Sequence, residues 1–406
     1  MKRLVVVGAS LAGLKAVESA RKRGYSGAIT LIGGEDELPY DRPPLSKAFL
    51  HDAEPAVPYY RTRSELDELA VDFRPGRRAT GLDTGTRTLV VGDDQIGYDA
   101  LIVATGADAR TLPGAGALPG AHTLRTVADA RAIRAALDQG ARTVVIGAGF
   151  IGAEVASAAR KRGLPVVILE GAPTPLVRAI GPVMGQAFAS LHAANGAELR
   201  CGVTVTAVEG NGVVERVRLS DGTTIAADLV VVGIGAEPVT EWLAGSGLAV
   251  DNGVVCDATL AASAPGVYAA GDVARWHNPL FDRSMRLEHW TSAQEQGALA
   301  ARNALEPAAA EPYATVPYFW SDWYGSRIQF VGTPDGPALR VFGAVEEGRL
   351  LALFGDGERV VGALALNRRT DIMKLRAAVA RRTPWNNAVD FAAERVSSWP
   401  SSAVGV

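Results

Sequence analysis

The chain has 406 residues, of which 48% are hydrophobic and 21% are charged, and its formal net charge is −3. This length predicts two or three domains. The near-neutral charge gives no reason to expect nucleic acid or a membrane as a partner, and no apolar run approaches the roughly 20 residues of a membrane helix. The N-terminus does not follow a signal-peptide pattern, so we expect a cytoplasmic protein.

The only cysteines are Cys201 and Cys256, far apart in the sequence and each beside a predicted strand. A disulfide framework, a zinc site and an iron–sulfur cluster all require more cysteines than this. We interpret both as small buried residues and expect no bound metal.

Two segments, residues 3–35 and residues 142–170, resemble each other. Each has a β-branched run, a glycine-rich turn, an alanine-rich helix and a second strand that ends in an acid. This order is that of a βαβ unit, and its repetition predicts an α/β fold with two Rossmann-like dinucleotide-binding domains.

The first copy carries Gly8-x-Ser10-x-x-Gly13, with serine where the second glycine of the motif usually stands. The acid that follows its second strand is displaced. Glu35 is the candidate ligand of an adenosine ribose, with Asp36 or Glu37 as alternatives.

The second copy carries the complete motif, Gly147-x-Gly149-x-x-Gly152, and Glu170 ends its second strand. The glycines permit a tight turn, close approach of a pyrophosphate and close packing of the helix. A carboxylate at Glu170 accepts hydrogen bonds from both ribose hydroxyls and repels a 2′-phosphate. No cation follows before Arg178, so the sequence favours NAD(H) over NADP(H).

Two further motifs, LIVATG at 101–106 and VYAAGDVA at 267–274, are buried strands that run into a glycine. Asp272 in the second motif can accept a hydrogen bond from a ribityl hydroxyl. Because the two motifs flank the complete second copy, they indicate a flavoprotein whose NAD domain is inserted into its FAD domain.

These boundaries predict three domains. The FAD-binding domain comprises residues 1–107 and 236–312, and the NAD-binding domain comprises residues 108–235. An Ala/Pro-rich joint at 307–312 precedes aromatic strands and an Arg-rich helix, which predict an α+β C-terminal domain at 313–406.

The chain resembles the FAD-dependent NADH:ferredoxin reductases of bacterial oxygenase systems, within the glutathione-reductase-like superfamily. The resemblance covers nearly the whole chain. Its most specific parts are LPYDRPPLSK at 38–47, GAGFIGAE at 147–154, VVGIGAEP at 231–238 and PYFWSDWYG at 317–325.

The resemblance implies two sets of cofactor contacts. Those to FAD would be Gly8, Ser10, Ala12, Gly13, Glu35, Arg42, Pro44, Lys47, Ala79 through its backbone, Ala104, Thr105, Gly106, Arg125, Gly271, Asp272, Glu288, His289 and Trp290. Those to NADH would be Gly147, Gly149, Phe150, Ile151, Gly152, Glu170, Arg178, Gly233, Ile234 and Gly235.

The resemblance also implies that Lys47 and Glu154 pair beside the flavin, although an acid in the first helical turns also has a purely structural interpretation. Trp320 would lie near the flavin and face the incoming partner, with burial in the core as the alternative. The reaction would be hydride transfer from NADH to FAD, followed by release of single electrons to a 2Fe–2S ferredoxin that supplies a mono- or dioxygenase.

Ferredoxins of this kind are acidic, so a local basic patch is expected. The candidate residues are Arg61, Arg63, Arg302, Arg368, Arg369 and Lys374. We expect a monomer or a weak homodimer.

Three other functions are considered. An NADH oxidase would need a redox cysteine, which the stretch around Ser46 and Lys47 lacks, and a nitrite-reductase-type subunit would need iron–sulfur and sirohaem ligands. A redox-sensing protein that resembles apoptosis-inducing factor would need a basic nucleic-acid surface or a targeting segment.

Overall fold

A computed structural model describes residues 1–114, 116 and 118–399. By their internal contacts they fall into two units. The first comprises Met1–Arg42, Val57–Asp108 and Ala236–Thr315, and the second comprises Pro43–Ala56, Ala109–Gly235 and the chain from Val316 onward. The division into three domains stays a prediction, because this clustering places residues 316 onward in the second unit.

The first unit is built on a parallel sheet. Its strands, in spatial order, are Val267–Ala269, Ala100–Val103, Arg3–Val7, Ala28–Ile32 and Val71–Arg74. Leu4, Val5 and Val6 are fully buried, as expected for a parallel strand that is covered on both faces.

Two helices, Leu11–Lys22 and Trp290–Leu305, pack closely against each other in this unit. Gly297 permits the close approach, because a Cβ atom there would lie 2.1 Å from the Ala12 carbonyl oxygen. The remaining strands of the first unit include Ala79–Asp83, Thr88–Val91, Asp94–Gly97, Val254–Cys256, Ala274–Asn278 and Arg283–Arg286. Its short helices include Arg63–Glu68, Glu241–Leu243, Gly271–Val273 and Pro307–Ala309, and the strands Ala107–Ala109 and Ala236–Pro238 lie where the chain leaves and re-enters the unit.

The second unit contains another parallel sheet. Its strands, in spatial order, are Glu198–Cys201, Val166–Glu170, Thr143–Ile146, Leu229–Val232 and Ala121–His122. An antiparallel sheet of Val205–Glu209, Arg216–Leu219 and Thr224–Ala226 belongs to the same unit. Its helices include Pro43–Ser46, Ala48–His51, Val127–Asp138, Phe150–Lys161 and Val177–Ala194.

The C-terminal part of the second unit is an antiparallel sheet with two helices. The strands, in spatial order, are Tyr318–Trp323, Ser326–Gly332, Val360–Leu366, Arg349–Gly355 and Ala338–Ala344, and the helices are Arg369–Ala380 and Trp385–Ser397. The two Rossmann-like βαβ units and this α+β region confirm the predicted α/β fold class. Across the described residues, no helix has both the length and the hydropathy required to cross a membrane.

Candidate functional site

The two glycine-rich turns are built in the same way. A Cβ atom on Gly8 would lie 2.0 Å from the Ala104 carbonyl oxygen, and one on Gly147 would lie 2.3 Å from the Gly233 carbonyl oxygen. Both glycines have a positive φ, of 113° and 102° respectively. No other residue type fits either position without moving backbone.

The third glycine of each turn packs on the first. A Cβ atom on Gly13 would lie 1.8 Å from the Gly8 carbonyl oxygen, and one on Gly152 would lie 2.3 Å from that of Gly147. The two helices begin at Leu11 and Phe150. The N-cap residue of the first, Ser10, makes no capping hydrogen bond with its side chain, and that of the second, Gly149, has no side chain. The first-turn N–H groups therefore suit the phosphates of a dinucleotide.

The acid of the second turn is fixed by backbone N–H groups. Glu170 Oε2 accepts a hydrogen bond from the Ala148 N–H, and Oε1 accepts one from the Ala172 N–H, each at 2.8 Å. The carboxylate is thus oriented beside the glycine turn, where the predicted contact with a ribose requires it. The nearby Gly233, Ile234 and Gly235 follow the strand Leu229–Val232.

In the first unit, Glu35 belongs to a cleft beside the first glycine turn. Arg42 donates to Glu35 Oε1 at 2.6 Å and to the Tyr40 hydroxyl at 2.9 Å, and the Tyr40 hydroxyl donates to Glu35 Oε2 at 2.6 Å. The Arg42 Nε lies 3.4 Å from Ser10 Oγ. The cleft is lined by Ala9, Ser10, Gly33, Gly34, Glu35, Glu37, Leu38, Tyr40 and Arg42.

The alternatives to Glu35 differ in position. The Asp36 carboxylate lies against Gly76, where a Cβ atom would be 2.0 Å from its Oδ1. Glu37 lines the cleft but accepts a hydrogen bond from the Tyr59 hydroxyl. Glu35 and Glu37 thus line the cleft and Asp36 does not, and Glu35 as the ligand of the ribose stays a prediction.

The other predicted FAD motifs converge within the first unit. The Ala104 N–H donates to the Val7 carbonyl, and the Thr105 hydroxyl donates to the Val239 carbonyl at 2.8 Å. The Gly106 carbonyl accepts from the Val239 N–H. Gly271 has a φ of 79° and approaches Ala12, so that Asp272 follows a turn beside the first Rossmann helix.

The predicted residues Glu288, His289 and Trp290 precede or begin the helix Trp290–Leu305. The Trp290 indole N–H and the Tyr60 hydroxyl both donate to Asp41 Oδ1, at 2.8 and 2.6 Å. Burial lowers the pKa of His289 to about 4, so its imidazole is neutral at pH 7. Glu288 pairs with Arg286 at 2.9 Å.

The remaining predicted contacts are spread over several elements. Ala79 begins a strand of the first unit, whereas Pro44, Lys47 and Arg125 belong to the second unit. Arg178 is exposed in the helix Val177–Ala194.

Two apolar residues of the second glycine motif differ in their surroundings. Ile151 is 40% exposed and available for a ligand. The Phe150 ring packs on Phe319 and Trp323 at centroid distances of 4.7 and 6.4 Å, so its side chain also contributes to the apolar core.

Lys47 and Glu154 form a buried ion pair in the second unit. Lys47 Nζ lies 2.8 Å from Glu154 Oε2, and the Glu154 side chain is 1% exposed while that of Lys47 is 19% exposed. The Ser46 hydroxyl also donates to Oε2. The Ser321 hydroxyl donates to Oε1, and the Asp322 N–H donates to the same oxygen at 3.2 Å.

Aromatic residues support the Ser321 side of this pair. The Trp323 indole N–H donates to Ser321 Oγ at 2.9 Å, and its ring packs on His192 at 5.0 Å. His192 Nδ1 and the Tyr324 hydroxyl share a hydrogen bond of 2.8 Å. Burial lowers the pKa of His192 to about 4, so its imidazole is neutral at pH 7.

Trp320 lies on the same strand as Ser321 and is only partly buried. Its ring stacks on Tyr318 at 5.8 Å, and the Arg376 guanidinium lies 5.8 Å from the Tyr318 ring. Trp320 is therefore not part of the fully buried core.

Several residues that organise these sites were not predicted from the sequence. They are Tyr40, Asp41, Ser46 and Ser321. Each lies in a block that carries the resemblance, which was the available signal, but the pattern alone did not show their partners.

The structure thus has two dinucleotide cradles, each with an oriented acid, and an internal ion pair. These features define a dinucleotide-dependent oxidoreductase. The family described as pyridine nucleotide-disulphide oxidoreductase matches residues 2–297, and the one described as reductase C-terminal matches residues 318–396. The chain belongs to the pyridine nucleotide-disulphide oxidoreductase family. This family binds FAD and NAD(H). The two cradles fit these cofactors, because their glycines lack the Cβ atom that would otherwise occupy the space of the turn.

Characterised relatives resemble the chain over most of its length. Rhodocoxin reductase of Rhodococcus erythropolis is 37% identical, over 94% of this chain and 90% of its own. The biphenyl dioxygenase system ferredoxin–NAD(+) reductase component of Paraburkholderia xenovorans is 38% identical, over 86% of each chain. The reductase in the covalent putidaredoxin reductase–putidaredoxin complex superposes with a TM-score of 0.91, at 31% identity, over 98% of this chain and 99% of the other.

The arrangement around Glu154 predicts a large effect of the isosteric change Glu154→Gln. Lys47 Nζ and the Asp322 N–H can only donate, and they face different oxygens. A glutamine amide must turn its NH2 group towards one of them, so a buried donor loses its acceptor. We expect the free energy of unfolding in urea to fall by about 1–3 kcal/mol.

The matched control is Glu209→Gln, which breaks the ion pairs with Arg216 and Arg218 at the surface of the second unit. Exposed pairs contribute about 0–1 kcal/mol. Equal losses in the two variants would contradict the role given to the buried carboxylate.

Proposed function

We propose that the protein is an NADH-dependent ferredoxin reductase that supplies single electrons to an oxygenase system. The observation that carries the proposal is the combination of two dinucleotide cradles with a buried Lys47–Glu154 pair and no reactive thiol. The relatives named above act with ferredoxins or related redox partners according to their names, which supports the same class of partner here.

The state of the cysteines supports release of electrons without a protein disulfide. Burial raises the pKa of the Cys256 thiol to about 12, and burial together with Glu170 raises that of Cys201. Each unit holds one of the two cysteines. Cys256 is buried as predicted, but the prediction was wrong for Cys201, which is only partly buried at the end of an edge strand. Both thiols stay protonated at neutral pH, and a thiol reacts as its thiolate.

Bound FAD would supply the redox chemistry, which is acceptance of a hydride from NADH and release of single electrons. The residues of the first glycine turn, Glu35 with Arg42, and Asp272 would hold this cofactor. Glu154 anchors Lys47 from the buried side, and the Lys47 side chain as a whole remains partly exposed. A fixed positive charge of this kind favours negative charge on a group bound at its open side.

Trp320 supports a docking role for the strand Tyr318–Trp323. The ring is partly exposed and held by stacking on Tyr318, so a partner can contact it without unfolding of the strand. We place the ferredoxin on this side of the C-terminal sheet.

The use of NADH is consistent with a location in the cytoplasm. That the protein is a monomer or a weak homodimer stays a prediction.

The direct test uses the purified FAD-loaded protein with NADH and a 2Fe–2S ferredoxin. We expect reduction of the ferredoxin to be many-fold faster than oxygen consumption by the reductase alone. Fast oxygen consumption with no ferredoxin reduction would instead indicate an NADH oxidase, and slow reaction with both acceptors would favour a redox sensor.

Glu170 should decide the choice of nicotinamide cofactor. Because Ala148 and Ala172 fix its carboxylate, Glu170→Ala removes an oriented acceptor for the ribose hydroxyls. We expect the KM for NADH to rise about tenfold, the equivalent of 1.4 kcal/mol, and the preference for NADH over NADPH to narrow. Glu198→Ala, on the adjacent strand and paired at the surface with Arg200, is the control, and an equal effect there would contradict the assignment.

The expected basic patch is restricted by ion pairs within the chain. Arg61 pairs with Glu18, Arg63 with Asp67, Arg302 with Glu311 and Arg368 with Asp371. The two other candidates, Arg369 and Lys374, are exposed on the helix Arg369–Ala380. These two are therefore the best supported contacts for an acidic ferredoxin.

Replacing both, as Arg369→Gln with Lys374→Gln, should raise the KM for ferredoxin about threefold to tenfold and reduce its dependence on salt. Hydride transfer from NADH should not change. The control is Arg216→Gln, an exposed arginine that is paired with Glu209. Unchanged salt dependence in the double variant would remove this helix from the proposed docking surface.

A further inference from the structure

Two serine hydroxyls, from distant parts of the sequence, contact the Glu154 carboxylate. Ser46 ends the short helix Pro43–Ser46 and is 2% exposed, and Ser321 lies in the strand Tyr318–Trp323 and is fully buried. Ser46 donates to Oε2 and Ser321 donates to Oε1. Each carboxylate oxygen therefore has its own serine.

The direction of the Ser321 hydrogen bond is fixed by Trp323. A hydroxyl has one hydrogen to donate and can also accept. Because the Trp323 indole N–H donates to Ser321 Oγ at 2.9 Å, the hydrogen of Ser321 is directed to Glu154.

Ser46 has a second acceptor within reach, the Pro43 carbonyl at 3.4 Å. The carboxylate is closer and carries a charge, and charge-assisted hydrogen bonds are the stronger kind. Both serines thus act as donors to the ionised form of Glu154.

These donors matter because the carboxylate is almost completely removed from water. Burial of a charge disfavours the ionised form unless hydrogen bonds and a counter-ion compensate. Lys47 is the counter-ion, but its side chain remains partly exposed. The serines are dry, neutral donors that cannot be replaced by solvent.

We propose that Ser46 and Ser321 are positioning residues that fix the orientation of the Glu154 carboxylate, so that Lys47 is held in one position beside it. This inference rests on the proposed function only in assigning the Lys47–Glu154 pair to the redox reaction. A misoriented Glu154 would release Lys47 and slow hydride transfer without weakening the binding of NADH.

Ser157 provides a matched control on the same helix as Glu154. It is 4% exposed, and its Oγ accepts the Tyr324 N–H at 2.9 Å. Ser157→Ala therefore removes a buried hydroxyl but leaves every hydrogen-bond donor to Glu154 named above in place.

The experiment uses the FAD-loaded full chain with Ser46→Ala, Ser321→Ala, both together, and Ser157→Ala. The first measurement is the carboxylate stretching band of Glu154 in the infrared spectrum, assigned by subtraction of the same spectrum in a Glu154→Gln background. The frequency of this band depends on the hydrogen bonds that the carboxylate accepts. We expect the band to shift in the Ser46 and Ser321 variants and to keep its wild-type position in Ser157→Ala.

The second measurement is the rate of flavin reduction by NADH in stopped flow. We expect a decrease of about tenfold per serine, the equivalent of one charge-assisted hydrogen bond, with an unchanged KM for NADH. A fall in rate without the infrared shift, or serine variants indistinguishable from Ser157→Ala, would overturn the proposal.

Ser46→Cys and Ser321→Cys guard against failure of the alanine variants to fold. Cysteine keeps a group at the position but donates weakly, so an intermediate shift of the Glu154 carboxylate band is expected, and its absence would also overturn the proposal. Neither measurement involves ferredoxin. Failure to reduce ferredoxin with the infrared result intact would therefore refute the proposed function and leave the serine assignment standing.

Discussion

The buried carboxylate of Glu154 is the interaction on which the arrangement of the second unit depends. An unpaired buried charge costs several kcal/mol, and here its donors come from the helix Pro43–Ser46 with Lys47 and from the strand Tyr318–Trp323. This explains why Pro43–Ala56 clusters with the second unit although it interrupts the first in sequence. Arg134 reinforces the same attachment, because its guanidinium donates to the carbonyls of Phe49 and Ala53.

Backbone contacts at glycine are the corresponding constraint on the cofactor cradles. The first and third glycines of each turn have a carbonyl oxygen where a Cβ atom would be, but at Gly149 the nearest atom, the Gly233 oxygen, would be 3.7 Å away. The middle position therefore tolerates a side chain. This accounts for Ser10, whose hydroxyl lies beside Arg42 and joins the polar lining of the first cleft.

The fold was predictable because buried parallel strands and glycine turns leave local patterns in the sequence, and the copies at 3–35 and 142–170 carry both. The site was predictable only in part. Lys47 and Glu154 were paired by resemblance, since 107 residues separate them, and no periodicity connects positions so far apart. Ser321 is 167 residues from Glu154. For the same reason, the sequence could not show which candidates for the basic patch are already paired. The carboxylates that pair with them, such as Glu18 with Arg61, lie in other elements.

The same pair connects the structure to its electron chemistry. The resemblance places Ser46 and Lys47 in the stretch where thiol-dependent members of the superfamily carry cysteine. Of the two cysteines of this chain, Cys256 is buried and Cys201 is partly buried, and both have a raised thiol pKa. A fixed ammonium can stabilise negative charge on a bound cofactor but cannot accept electrons itself. A bound flavin would therefore pass its electrons directly to an external acceptor. The strand Tyr318–Trp323, which carries Ser321 and Trp320, contributes both to the support of the pair and to the surface proposed for that acceptor.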